Sequence, residues 1–163
     1  MDPQTLERAF TLAQQALALD DSLPIAHSRL GFVYALKQQY EQALAEGERA
    51  IALDPNNADS YAFHAEVLRI AGRPEDALRM LAQAMRLNPR YPPDYSFFLG
   101  AAYNQTGRPT EAVATLKEAI SRSPNHQAAH LLLALSSVQQ WASQQSADAQ
   151  TLEQALAARR TIA

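Results

Sequence analysis

His126 and His130 stand four residues apart in SPNHQAAHLLLALSS, a spacing that sets two imidazoles on one helix face and, with a third ligand, would suit zinc. No acid is placed near the pair to complete such a site, and the register of the chain aligns His130 with His27 and Tyr61, a bulky position expected in the core. No metal site is expected. Cysteine is absent, which excludes disulfides, thiolate ligands and a thiol nucleophile and agrees with a reducing compartment. Neither a Gly-x-x-x-x-Gly-Lys-[Ser/Thr] phosphate loop nor a Gly-x-Ser-x-Gly elbow occurs, so no catalytic residue and no cofactor is expected. SRSP, from Ser121 to Pro124, has the form of a phosphorylation site but is accounted for by a helix ending at a proline.

The formal charge is −3 over 163 residues, with acids and bases interspersed. No basic run could follow a phosphate backbone, which argues against nucleic acid. No apolar stretch approaches the ~20 residues that span a bilayer. The start, MDPQTLERAF, lacks the basic and apolar regions of a signal peptide, so a soluble, cytoplasmic chain without membrane contact is expected.

Any binding residues must be positioned by helices, because Ala, Leu, Gln, Glu and Arg dominate and these lose little rotamer freedom in a helix. The helices repeat. EQALAEGERAIALDP, EDALRMLAQAMRLNP and TEAVATLKEAISRSP return in register, Pro55 and Pro89 lying 34 residues apart and Pro124 a further 35. The added residue falls at Tyr91-Pro92-Pro93. LERAFTLAQQALALDD fits the same template with Asp21 in place of proline. Gly72 and Gly107 are placed to end a first helix in the left-handed conformation, and Pro74 and Pro109 to open a second. The unit is a helix–turn–helix.

This pattern resembles the tetratricopeptide repeat. Its signature positions are filled by His27, Leu30-Gly31, Tyr34, Ala43, Gly47, Ala50 and Pro55, then by Tyr61, His64-Ala65, Leu68, Ala77, Leu81, Ala84 and Pro89. Ser96, Leu99-Gly100, Tyr103, Ala112, Leu116, Ala119 and Pro124 make the third set. The resemblance implies a single all-α domain, a right-handed α-solenoid: a half repeat at 1–23 with its second helix only, repeats at 24–57, 58–92 and 93–126, and a divergent terminal helix pair at 127–163. In that pair, QQSADAQ is expected as a long connection and Trp141 as a cap over Leu152 and Leu156. Gly47 in place of a large residue, and His64 and Ser96 in place of apolar ones, are expected to loosen packing locally. The half unit at the amino end leads us to expect a piece of a longer protein, with an apolar edge through Leu6, Phe10 and Leu17 that could support a homodimer.

The same resemblance implies that first-helix residues turned away from the core line a concave groove for a protein or peptide partner. The expected lining is Ser28, Ala62, Phe97 and Leu131 in one column and Phe32, Glu66, Ala101 and Leu135 in a second. Asp59 and Asp94, with Ile25 and Ala128, form a third; Arg69 and Asn104, with Ala35 and Val138, form a fourth. Of the neighbours Phe97 and Phe98, one is expected in the groove and one in the core. Chaperone-binding members of the family grip a terminal carboxylate with basic residues and asparagines; Ser28, Phe32, Phe63, Asp94 and Phe98 stand at those positions here. An acidic tail should therefore bind poorly. Residues 87–120 also look like units at the carboxyl end of bacterial class III adenylate and guanylate cyclases, which would make the array a regulatory or oligomerisation region of a signalling enzyme whose catalytic domain lies elsewhere.

Overall fold

The computed structural model describes residues 2–161, with side chains through Thr151. Those residues form α1 (Pro3–Leu19), α2 (Pro24–Leu36), α3 (Tyr40–Leu53), α4 (Ala58–Ile70), α5 (Pro74–Leu87), α6 (Pro93–Gln105), α7 (Pro109–Arg122) and α8 (Gln127–Thr161), and among them there is no strand. Consecutive helices pack as antiparallel pairs, α2 on α3, α4 on α5 and α6 on α7, and the pairs stack so that α2, α4, α6 and α8 follow one another along one side. This is an all-α solenoid. No helix among the described residues is long and apolar enough to cross a membrane.

The turn inside each pair closes in one way. Gly72 (φ 78°) and Gly107 (φ 70°) adopt the left-handed conformation, and the next amides, of Arg73 and Arg108, donate back to the carbonyls of Leu68 and Tyr103 at 2.8 and 2.9 Å. The first pair makes the same turn without glycine: Gln38 sits at φ 61° and the Gln39 amide donates to the Tyr34 carbonyl at 2.9 Å. Alanine sets the spacing of the helices. Ala43, Ala77 and Ala112, and Ala50, Ala84 and Ala119, are all fully buried, so neighbouring backbones approach closely across them.

Packing at Gly47 and His64 is not loosened as the sequence suggested, because each compensates for the other. A Cβ added at Gly47 would fall 2.0 Å from His64 Nδ1, so the imidazole occupies the volume that a large residue at 47 would fill. The exchange leaves His64 Nδ1 buried without a hydrogen-bond partner. Ser96 is also buried, and its hydroxyl donates to Glu118 at 3.2 Å.

Both ends differ from expectation. Phe10 is not part of an open edge: its ring meets Tyr34 edge-on at 5.4 Å, and the Lys37 ammonium lies 4.4 Å from its centroid. Leu6 and Leu12, with Ala9, Ala13 and Ala16, border an open groove against α2 instead. At the other end, the expected helix pair is one helix. QQSADAQ continues α8 without a turn, because it holds neither glycine nor proline and its Ala and Gln residues favour helix even when exposed. Trp141 is 63% exposed, and the side chains of Leu152 and Leu156 lie outside the described residues.

Candidate functional site

A cleft of about 410 Å³ opens on the inner side between α4, α6 and α8. Arg69, Phe97, Ala101, Asn104, Ala128, Leu131 and Leu135 line it, seven residues expected from the sequence, together with Gln105 and Leu132. The wall on α8 is leucine, since Leu131 and Leu135 lie one helical turn apart and both are exposed. Phe97 forms the facing wall; its ring is braced by His126 at 4.6 Å and packs on the core around Ala112 and Leu116.

Polar contacts brace the cleft and its surroundings. Glu66, 5% exposed, receives two hydrogen bonds from the Arg69 guanidinium, at 2.8 and 2.6 Å. This forked pair neutralises a buried carboxylate and holds the arginine's pKa above its ordinary value. Asn104 donates to Ser136 Oγ at 2.9 Å and to Gln139 Oε1 at 2.6 Å, tying α6 to α8 across the cleft. Asp59 is exposed at the start of α4, where its carboxylate accepts a 2.6 Å hydrogen bond from the buried Tyr95 phenol. Burial, and then that bond, push the Tyr95 pKa upward. Asp94 is exposed in the first turn of α6, 3.8 Å from His126 Nε2.

Three expected lining residues are excluded from any ligand. Ser28, Ala35 and Ala62 are buried among the packed helices. Ala101 is buried at the cleft floor, and Phe32 is half-buried beside the amino-terminal groove, apart from the main cleft. Both neighbours Phe97 and Phe98 are half-buried: Phe98 meets Phe63 edge-on at 5.9 Å and reaches the core around Ala62 and Leu81 from its margin.

The sequence reading missed a column. Arg29, Phe63, Phe98 and Leu132 recur at the repeat spacing, and the first three form a ladder: the Arg29 guanidinium lies 3.8 Å over Phe63, which meets Phe98. The same register that located the other columns would have found it. A second pattern was also missed. His27 Nε2 donates to the Asp21 carbonyl (2.9 Å), the Tyr61 hydroxyl to Pro55 (3.2 Å) and His130 Nε2 to Pro124 (2.8 Å), each six residues back. Rings with polar tips thus tie α2, α4 and α8 to the turn before each, while at α6 the position is held by Ser96, which bonds to Glu118 instead. His130 does this from the surface, so it is not a core residue, and Asp94 does supply an acid near His126. His126 Nδ1 accepts the Ala129 amide at 3.1 Å and caps α8. No group of three metal-ligating side chains gathers among the described residues.

Two family models described as tetratricopeptide repeat match the chain, one over residues 24–57 and one over 68–136, together more than half its length. Among solved structures, a TPR protein of Thermus thermophilus superposes with a TM-score of 0.69 at 21% identity, covering 83% of this chain and 74% of its own. MamA gives a TM-score of 0.62 at 19% identity, covering 89% and 79%. YrrB, described as a TPR protein with an unusual peptide-binding site, gives 0.56 at 28% identity, covering 82% and 68%. Helices paired through alanine, turned at Gly72 and Gly107 and stacked around an inner cleft therefore have one origin: the chain belongs to the tetratricopeptide-repeat family, whose fold is a protein-interaction scaffold and is in general not catalytic.

Proposed function

We propose that the inner face holds a segment of another protein by its apolar side chains. The observation that carries this reading is the convergence of Phe97, Leu131, Leu132 and Leu135 on one cleft whose one charged lining residue, Arg69, is already paired with the buried Glu66. An apolar side chain entering there displaces water from leucine and phenylalanine at no cost in unpaired charge. Asp59 and Asp94 make the approach negative, which favours a neutral or basic segment over an acidic one. The description of YrrB supports a peptide as the kind of partner.

The test is a selection from a displayed random-peptide library. Peptides recovered by the native chain should carry apolar anchors and should lose binding to Leu135→Asp, which changes an exposed residue and should leave helicity intact. Equal recovery by the variant would overturn the reading. A second reading makes the array a regulatory or oligomerisation region of a bacterial class III nucleotide cyclase. It is carried by the likeness of residues 87–120 alone, and the comparisons add nothing to it.

A further inference from the structure

Large apolar side chains are exposed at two places. Apart from Tyr40, those among the described residues are Leu12, Leu19, Leu23 and Ile25 at the amino end, and Leu131, Leu135, Val138 and Trp141 on α8. Between the two ends the described residues show only Tyr40, so exposure follows position in the stack rather than composition.

The amino-terminal patch surrounds a groove of about 460 Å³ between α1 and α2, walled by Leu6, Leu12, Ala16, Leu23, Ile25 and Val33. The stacking shows what shape fits it. Helix α2 is seated between α3 and α4, α4 between α5 and α6, and α6 between α7 and α8. Helices α1 and α2 pack on each other as α3 and α4 do, so their groove is the same seat, open. Its occupant is a helix of the α2, α4, α6 series.

Helix α8 belongs to that series, and the face it would turn into such a seat is uncovered. In the repeat register, Leu131 corresponds to Ser28, Ala62 and Phe97, Ala134 to Gly31, Ala65 and Gly100, and Val138 to Ala35, Arg69 and Asn104. Phe97, Arg69 and Asn104 are half-buried and the other six are buried, whereas Leu131 is 75% and Val138 64% exposed, and Ala134, Ser137 and Trp141 are exposed too. From Gln127 to Ala147 the helix carries no Asp, Glu, Lys or Arg. A solvated helix face is normally charged, and an uncharged apolar one marks a contact surface. The groove is matched to it: Arg29 is its one charged lining residue, and that guanidinium is already stacked on Phe63. Docking buries no unpaired charge on either side.

We infer that α8 of one copy docks in the α1–α2 groove of a second copy, so that the chain associates head to tail. The interface is heterologous: each added copy presents a further open groove and a further open α8. It uses the end of the array, and Leu131 is the residue it has in common with the peptide cleft.

The test blocks each end separately. Leu12→Asp puts a charge in the groove and Ala134→Arg puts one on α8; both sites are exposed, and circular dichroism checks that helicity is retained. Ile25→Asp and Ser137→Arg repeat the experiment at neighbouring positions. In sedimentation velocity from micromolar to millimolar chain, the native protein should gain mass with concentration. Each single variant should associate at least about tenfold more weakly, since a charge in an apolar contact must be desolvated. A one-to-one mixture of the two should form a dimer, because one supplies an intact α8 and the other an intact groove. A native chain that stays at 17.9 kDa throughout, a single variant that associates as tightly as the native chain, or a mixture that associates no better than either variant alone would each overturn the inference.

Discussion

Replacing glycine by alanine inside a helix ordinarily stabilises it by roughly 1 kcal/mol, yet at Gly47 the structure requires the opposite sign. The new Cβ would lie 2.0 Å from His64 Nδ1 and 2.9 Å from Cγ. Because the clash reaches the root of the ring, turning the imidazole about χ2 does not relieve it, and His64 must leave its rotamer. Overpacking of this kind costs roughly 1–3 kcal/mol, so Gly47→Ala should be net destabilising by up to about 2 kcal/mol. In a His64→Ala background the obstruction is gone, and the same substitution should stabilise by about 1 kcal/mol. Urea denaturation of the four proteins, followed by circular dichroism, completes the cycle. If the two effects add to within about 0.5 kcal/mol, the compensation is wrong. The pH dependence gives an independent check. Burial lowers the His64 pKa below 6.5, opposed by Glu48 and assisted by Arg73. The unfolded chain therefore binds a proton that the folded chain resists, so stability is full above pH 6.5 and falls as pH drops below it, at no more than ~1.4 kcal/mol per unit. His64→Ala should remove that slope.

Gln38→Gly should raise stability by about 0.5–1 kcal/mol in the same assay, because relief of a left-handed side-chain conformation exceeds the backbone entropy that glycine adds; a loss would show that the Gln38 side chain contributes more than its turn costs. Tyr95→Phe should cost about 1–2 kcal/mol by removing the bond to Asp59. Since the Tyr95 pKa is raised above 10.0, its contribution is present below pH 10 and is lost as pH rises beyond it, so the variant should denature less steeply in alkali. Asn104→Ala should speed amide hydrogen exchange over residues 127–140 while leaving α2 to α5 unchanged; uniform acceleration would place the asparagine's role elsewhere.

The repeat was legible because its carriers are backbone-determined. Gly72, Gly107 and the buried alanines admit few alternatives, and their spacing alone identifies helix pairs. What was missed depends on relations that spacing does not encode. Gln38 takes the left-handed position without being the residue that usually marks it, so the first turn carried no signal. Gly47 and His64 each look like a defect, and only their contact shows an exchange of volume between two helices. QQSADAQ reads as a loop by polarity, but an exposed helix has the same polarity, and the informative feature was its lack of a breaker. Within the groove, the first column was misread because repeat position gives direction but not coverage: Ser28 and Ala62 point where Leu131 points, and are covered by the helices that follow them.

A seam of alanine permits close approach but specifies direction poorly, since small side chains interlock little. The inner helices carry directional contacts as well, at least one between each neighbouring pair. Arg29 of α2 lies over Phe63 of α4, Tyr95 of α6 donates to Asp59 of α4, and Asn104 of α6 donates to Ser136 of α8. Hydrogen bonds tolerate only a few tenths of an ångström before weakening, so the two from Tyr95 and Asn104 fix the separations of α4, α6 and α8 while the buried alanines fix that of the helix pairs. The ratio of the two separations is the curvature of the array. Curvature in turn decides whether Arg69, Phe97 and Leu135, drawn from three helices, face one another across a cleft or splay onto an open surface. The polar residues on the inner face therefore shape the site even where no partner would touch them: Asp59 reads as a groove residue by its exposure, yet its most direct structural role is to hold α6 at the distance from α4 that the cleft requires.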